Sequence, residues 1–165
     1  DAGLWFDPAF QGEPIPTLEA IAQYTLANEI ACNIEIKPTP GLEVATGTAI
    51  ARQVLHDWKT ANITPLLSSF SIEALEAAQH AAPELPRGWI TKDLGPNWHQ
   101  TLTRLGCLSI HLHHLLLTKP LLNQIHAAGF RVAVWTVNDP ARTAELLRWG
   151  VDSVITDALD LIHAA

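Results

Sequence analysis

Methionine is absent from all 165 residues, position 1 included. A complete translation product carries at least that one, so the sequence is expected to be part of a longer product. Its opening, Asp1-Ala2-Gly3-Leu4-Trp5-Phe6, reads as the middle of a loop. Basic residues never cluster: the ten lysines and arginines stand singly against seventeen acids, for a net charge of -7. That excludes the basic stripe by which nucleic acid or an anionic membrane surface is bound. No apolar run nears the roughly 20 residues of a membrane span, and no charged n-region with an apolar core opens the chain. A soluble, cytoplasmic protein is therefore expected. The only two cysteines, Cys32 and Cys107, lie far apart with no metal-like spacing. As buried free thiols they suit a reducing compartment. Missing too are a G-x-G-x-x-G fingerprint and a Walker A loop, so nothing announces a nucleotide-binding open sheet.

What is present is an ordinary globular composition, 48% hydrophobic and 16% charged, with apolar mass for one sizeable core. Residues 1–16 carry Gly3, Asp7, Pro8, Gly12, Pro14 and Pro16 and read as a loop. The aromatics of that loop, Trp5, Phe6 and Phe10, are expected to pack on something. Thr17 stands where a helix N-cap belongs, and Leu18, Ile21, Ala22, Thr25 and Leu26 recur at helical spacing, which predicts a helix over 17–28. From there one pattern repeats. Strands are predicted at 31–37, 65–70, 87–91, 107–111, 131–138 and 152–156, with helices at 42–60, 71–81, 97–105, 118–128, 139–149 and from 158. Gly106, Gly129 and Gly150 each fall between a helical pattern and a strand, as helix-ending glycines do.

Six β units alternating with helices imply a parallel sheet with crossover helices. Without a nucleotide fingerprint they favour a partial TIM-type (β/α)8 barrel of about six βα units whose first strands are missing. In such a barrel the carboxyl ends of all strands converge on one face. The stretch Asn33-Ile34-Glu35-Ile36-Lys37-Pro38 is the centre of this reading. Alternation puts Glu35 and Lys37 on one side and Ile34 and Ile36 on the other, an acid and a base at a strand end just before a Pro/Gly loop. Glu35, Lys37, Ser69, His111, Trp135, Asn138 and Asp157 are all expected at or near that end, a polar set of mixed charge suited to a small anionic ligand.

These residues resemble the glycerophosphodiester phosphodiesterases, and most closely the cytoplasmic bacterial members. The motifs that carry the resemblance are Asn33-Ile34-Glu35-Ile36-Lys37-Pro38, Leu66-Leu67-Ser68-Ser69-Phe70 and Val134-Trp135-Thr136-Val137-Asn138. A fourth is Leu146-Leu147-Arg148-Trp149-Gly150-Val151-Asp152-Ser153-Val154-Ile155-Thr156-Asp157, and all come in the family's order. The stretches 74–87 and 12–18 look similar too. The resemblance implies that the whole chain is the C-terminal part of one barrel domain that hydrolyses glycerophosphodiesters, such as glycerophosphocholine or glycerophosphoethanolamine, to sn-glycerol 3-phosphate and an alcohol. It implies a divalent cation, Mg²⁺ or Ca²⁺, with Glu35 as a metal carboxylate, a hard oxygen donor for a hard cation. Lys37 matches the motif lysine near the phosphate, and Trp135 the aromatic at the pocket wall.

The chain also departs from the family's pattern. The family's acid and base are two histidines, in a His-Arg-Gly and a His-Asp motif, with a Glu-x-Asp metal motif between them. The resemblance places all three in a segment before residue 1. The one His-Asp present, His56-Asp57, sits in a helical pattern beside Val54, Leu55 and Trp58 and reads as solvated helix surface. His111 and His113 share a face if their strand continues, and a rim role at a strand end is expected of them in preference to a metal site. His80, His99, His126 and His163 read as surface. The alternative to an enzyme is a non-catalytic barrel fragment that needs the upstream segment or a partner chain. Open barrel edges are then expected to drive self-association.

Overall fold

A computed structural model describes residues 1–162. The loop at residues 1–16 holds one short 3-10 turn, Pro8–Phe10. Trp5, Phe6 and Phe10 pack on one another, yet Trp5 stays 81% and Phe6 71% exposed. Against the expectation that these aromatics pack on something, Trp5 and Phe6 remain mostly exposed, while Phe10 is 47% exposed and lies against Gly3.

Thr17 caps the first helix, α1 (Leu18–Ala27), by accepting from the Ala20 N–H. The remaining elements alternate as β1 (Asn33–Glu35), α2 (Glu43–Asp57), β2 (Leu66–Ser69), α3 (Ile72–Ala81), β3 (Arg87–Thr91) and α4 (Trp98–Arg104). They continue with β4 (Ser109–His113), α5 (Lys119–Ala127), β5 (Arg131–Trp135), α6 (Pro140–Trp149) and β6 (Ser153–Val154). Ser71, Thr118 and Asp139 repeat the capping contact at α3, α5 and α6, each satisfying a backbone N–H that the helix leaves unpaired. Gly150 ends α6 at φ 100°, a left-handed conformation that costs a residue with a Cβ.

The strands form one sheet in the order β1-β2-β3-β4-β5-β6, every pair parallel. The sheet is curled. Phe70, just past β2, and Trp135, at the end of β5, have ring centroids 5.5 Å apart, although three strand steps along a flat sheet would separate their backbones by roughly 14 Å. The result is part of a TIM-type barrel, with helices on the convex side.

Paired residues share a face, so the register sorts the side chains. Ile34, Leu67, Ile110, Leu112, Val132 and Val134 face the helices. They meet Ala51, Val54, Ala74 and Ala78 in one cluster and Leu102, Leu122, Ile125 and Leu146 in the other. The α2–α3 crossing is close, since a Cβ on Gly47 would lie 2.3 Å from the Ala74 carbonyl oxygen. On the concave face, Glu35, Ser68, Gly88, Ser109 and Arg131 form one ladder row, and Ile90, His111, Ala133 and Ser153 the next.

At the amino end of β3, Arg87 is 5% exposed and, among the described residues, pairs with no carboxylate. Its guanidinium donates to the carbonyls of Leu105, Ala82, Pro83, Leu85 and Gly106. These lie at and after the carboxyl ends of α3 and α4, where helix dipoles favour a cation. Burial lowers its pKa, which the adjacent Cys107 opposes.

Three expectations shift against this fold. The strand predicted at 107–111 runs Ser109–His113, because Cys107 and Leu108 close the turn after Gly106, their N–H groups bonding to Leu102 and Arg87. The helix predicted from 158 is replaced by turns over 158–162, and the rest of that prediction lies outside the described residues, as does His163. Of the two thiols, both free, Cys107 is buried but Cys32 only half-buried.

Candidate active site

β1 ends at Glu35, but its pairing continues one step further, where the Ile36 N–H donates to Ser68 over 2.6 Å. Ile36 is 1% exposed and anchors the segment in the helix-facing core. With Ile36 pinned outward, Glu35 and Lys37 project from the concave side. Both are exposed, and neither side chain has a hydrogen bond or ion pair within the chain among the described residues. An acid and an ammonium side by side, each unspent, are available to a ligand.

The opposite wall comes from three other strands. Barrel strands tilt by about 36°, so four ladder steps of about 4.8 Å span about 11 Å in height, with the β5 end of the row the lower, and that is the rise of roughly four residues. Glu35 shares its ladder row with Arg131. The tilt therefore brings Trp135, four residues beyond Arg131, towards the height of Glu35, and the Phe70–Trp135 contact confirms the direction of climb. The Trp135 indole is half-buried and its Nε1 donates to the His111 carbonyl over 3.1 Å, fixing the ring plane. His113, opposite it in the ladder, packs edge-on at 5.2 Å. The Lys92 Nζ lies 5.8 Å from the Phe70 centroid and 5.9 Å from that of Trp135.

Loops at the carboxyl ends of β5 and β6 are tied by Asn138, whose Oδ1 accepts from the Thr156 hydroxyl and from the Asp157 N–H. Behind His113, the His114 ring stacks at 5.0 Å. The His114 carbonyl accepts from Arg142, which also pairs with Glu145 and lies over the Trp149 ring. Burial, with help from His113 and Arg142, lowers the His114 pKa.

The residues expected at this end therefore divide. Glu35, Lys37 and Trp135 face the concavity, and Asn138 and Asp157 stand at its rim. Ser69 lies on the helix side of β2, buried, its hydroxyl donating to the Ile36 carbonyl and accepting from the Ser71 N–H, so it holds the site from behind. His111 is mid-strand, not at a strand end: it is 2% exposed, bonded through Nε2 to the Ser109 hydroxyl, and burial pushes its pKa down to about 4. His113 does reach the strand end. His56 and Asp57 pair with each other at the far end of α2, where a helix antiparallel to the strands puts its carboxyl end on the face opposite the site. Lys92 and Phe70 join the wall without a signal in spacing; only the register and the curl reveal them, whereas the shared face of His111 and His113 had already marked His113.

Glu35 offers the donor that Mg²⁺ or Ca²⁺ takes, a carboxylate oxygen free of internal partners, and so fits one ligand position. Among the described residues no group of three or more His, Cys, Asp or Glu could hold a metal. One ligand from this chain stretch, not a complete cage, is what the residues provide. No helix among the described residues is long and apolar enough to cross a membrane.

The arrangement has relatives. The model of the Glycerophosphoryl diester phosphodiesterase family matches residues 1–161. The chain is 31% identical to YhdW of Bacillus subtilis over 171 residues, covering 98% of this chain and 66% of that protein. It is 29% identical over 162 residues to a glycerophosphodiester phosphodiesterase of Caldanaerobacter subterraneus subsp. tengcongensis, covering 95% of this chain and 64% of the relative. Among solved structures it is similar to an Oleispira antarctica phosphodiesterase in complex with the product sn-glycerol-3-phosphate. There the TM-score is 0.85 at 31% identity, over 96% of this chain and 64% of that one. The chain thus spans a little under two thirds of the length of these relatives.

Proposed function

From the premise that the chain belongs to the glycerophosphoryl diester phosphodiesterase family, we propose that the whole protein hydrolyses glycerophosphodiesters to sn-glycerol 3-phosphate and an alcohol. The observation that carries this reading is the pairing of two unspent charges, Glu35 and Lys37, across from the Phe70–Trp135 wall at the carboxyl ends of the strands. A phosphodiester is an anion with a carbon skeleton on either side, and the site offers a charged floor and an apolar wall.

In this reading the Lys37 ammonium neutralises charge on a phosphoryl oxygen, more strongly as that charge grows in the transition state. Glu35 holds one coordination position of a divalent cation, Mg²⁺ or Ca²⁺. When bound, that cation supplies Lewis-acid stabilisation of the phosphoryl oxygens. Trp135, oriented by its bond to the His111 carbonyl, covers the glycerol or alcohol part and keeps water from that side. General acid and base are two histidines from outside these 165 residues, on an upstream segment or a partner chain. His111 is buried on its own strand and His56 sits on the opposite face, so neither replaces them.

The free thiols of Cys32 and Cys107 support a reducing, cytoplasmic location. The described sheet leaves β1 and β6 with one neighbour each, which favours a second reading of the isolated chain: an inactive part of a barrel that pairs with a copy of itself or with its upstream segment. Hydrolysis of glycerophosphocholine in Mg²⁺ or Ca²⁺, with EDTA as control, decides between them. The isolated 165 residues are expected to be inactive, and a chain extended upstream through the histidine motifs active, with the activity lost on Glu35→Gln. Turnover by the isolated chain would overturn the assignment of acid and base to another segment.

A further inference from the structure

Lys92 is the first residue beyond β3 and stands in the ladder row of His113 and Trp135. The Thr91 hydroxyl donates to the Asp93 carbonyl and accepts from the Asp93 N–H, fixing the turn on which Lys92 sits. Its ammonium lies within the roughly 6 Å over which a cation is drawn to an aromatic face, and it does so for Phe70 and Trp135 at once. Among the described residues no carboxylate lies within ion-pair distance of it. Two rings meeting edge to face are the surface on which a quaternary or primary ammonium of a ligand would settle, and here the protein's own ammonium holds that place.

We infer that Lys92 sets the alcohol specificity of this site, disfavouring esters of cationic alcohols and favouring those of uncharged polyhydroxy alcohols. The inference rests on the reading above that the Phe70–Trp135 wall covers the alcohol part of a glycerophosphodiester. A ligand ammonium brought to these rings would meet Lys92 at a few ångströms, a like-charge contact worth about fivefold in affinity even at the dielectric of water. A polyol instead finds three N–H donors on an exposed ammonium that no carboxylate has claimed. The two aromatic rings serve either alcohol as an apolar floor, so the selection comes from the lysine.

Glycerophosphoglycerol and glycerophosphocholine share the glycerol phosphate and differ only in the alcohol. Their equilibrium binding to the upstream-extended protein is measured by saturation-transfer NMR in EDTA, so that turnover does not consume them, with hydrolysis in Mg²⁺ assayed separately. The native protein is expected to prefer glycerophosphoglycerol by about three- to tenfold. Lys92→Gln should bring the ratio towards one, and Lys92→Glu should reverse it. A ratio unchanged in both variants, or no binding of either ester, would overturn the inference. A preference that follows the charge at position 92 without hydrolysis of either ester leaves this inference standing and sinks the proposed activity. Hydrolysis with an indifferent ratio does the reverse.

Discussion

The Ser69 hydroxyl donates to the Ile36 carbonyl over 2.6 Å, joining the ends of β1 and β2 directly behind Glu35 and Lys37. The same oxygen accepts from the Ser71 N–H, so one buried atom satisfies two backbone groups at the point where both strands turn into their loops. Ser69→Ala removes the hydroxyl from both, from the Ile36 carbonyl at a buried contact and from the Ser71 N–H at a half-buried one. The expected loss is about 1–3 kcal/mol of stability, read as a lowered urea midpoint. Because Lys37 is one residue from Ile36, KM of the upstream-extended enzyme should rise with it. A variant as stable as the native chain would remove Ser69 from this role.

Arg87 carries the second prediction. Five carbonyls surround its planar guanidinium, and a lysine, a single point charge on a flexible stem, reaches only part of them. Arg87→Lys should cost about 2 kcal/mol or more, lowering Tm by about 4–8 °C for a chain of this size. Gly106 belongs to the same arrangement, since a Cβ there would come 2.9 Å from the guanidinium at a φ of 57°. Gly106→Ala is expected to destabilise through the same contact, and a thermal melt of each variant checks both.

These two residues mark what a linear reading can and cannot reach. The alternation of Glu35 and Lys37 with Ile34 and Ile36 was legible because a strand's period of two is a local property. Thr17, Gly129 and Gly150 were legible for the same reason, as caps and stops that depend on neighbours in sequence. The chain's β/α alternation and the resemblance motifs supplied the parallel half-barrel and the place of Trp135. Arg87 looks like any charged strand start until α3 and α4 bring their carboxyl ends to it from 2 to 19 residues away. His111 was expected at a strand end, but β4 begins two residues later than its β-rich composition suggests, and the shift moves His111 into the barrel interior. Lys92 meets Phe70 and Trp135 only through the curl of the sheet, which no spacing in the sequence records.

The third prediction follows from the sheet edges. Among the described residues β1 and β6 each pair on one side only, and large apolar side chains such as Ile15, Tyr24 and Leu115 stand 79%, 62% and 74% exposed. Unpaired strand edges beside exposed apolar surface template association. The isolated chain should therefore run above its 18.0 kDa monomer mass by light scattering at micromolar concentration. Co-expression of the upstream segment should reduce that association. A clean monomer across the concentration range would count against the barrel-fragment reading.

The last prediction concerns acid. His111 is neutral in the fold, its pKa pushed from 6.5 down to about 4 by burial, whereas in the unfolded chain it takes up a proton near its ordinary value. Above 6.5 neither state binds that proton and His111 adds no pH dependence. Between 6.5 and about 4 the unfolded state alone is protonated, so stability falls with falling pH, by about 3 kcal/mol across the window. His114, also lowered, adds to the same fall. Asp152 acts further down. Burial raises its pKa, but the Val132 N–H, Arg131 and His126 outweigh that and hold it below 3.8. Its stabilisation is complete above 3.8 and disappears as pH drops through the lowered folded value. His111→Leu should thus flatten the first decline and leave the second, while Asp152→Asn should do the opposite. Urea unfolding free energies from about pH 7 to about pH 3 separate the two. A His111→Leu profile that still falls as steeply as the native one between 6.5 and about 4 would show that the buried imidazole is not the group that titrates.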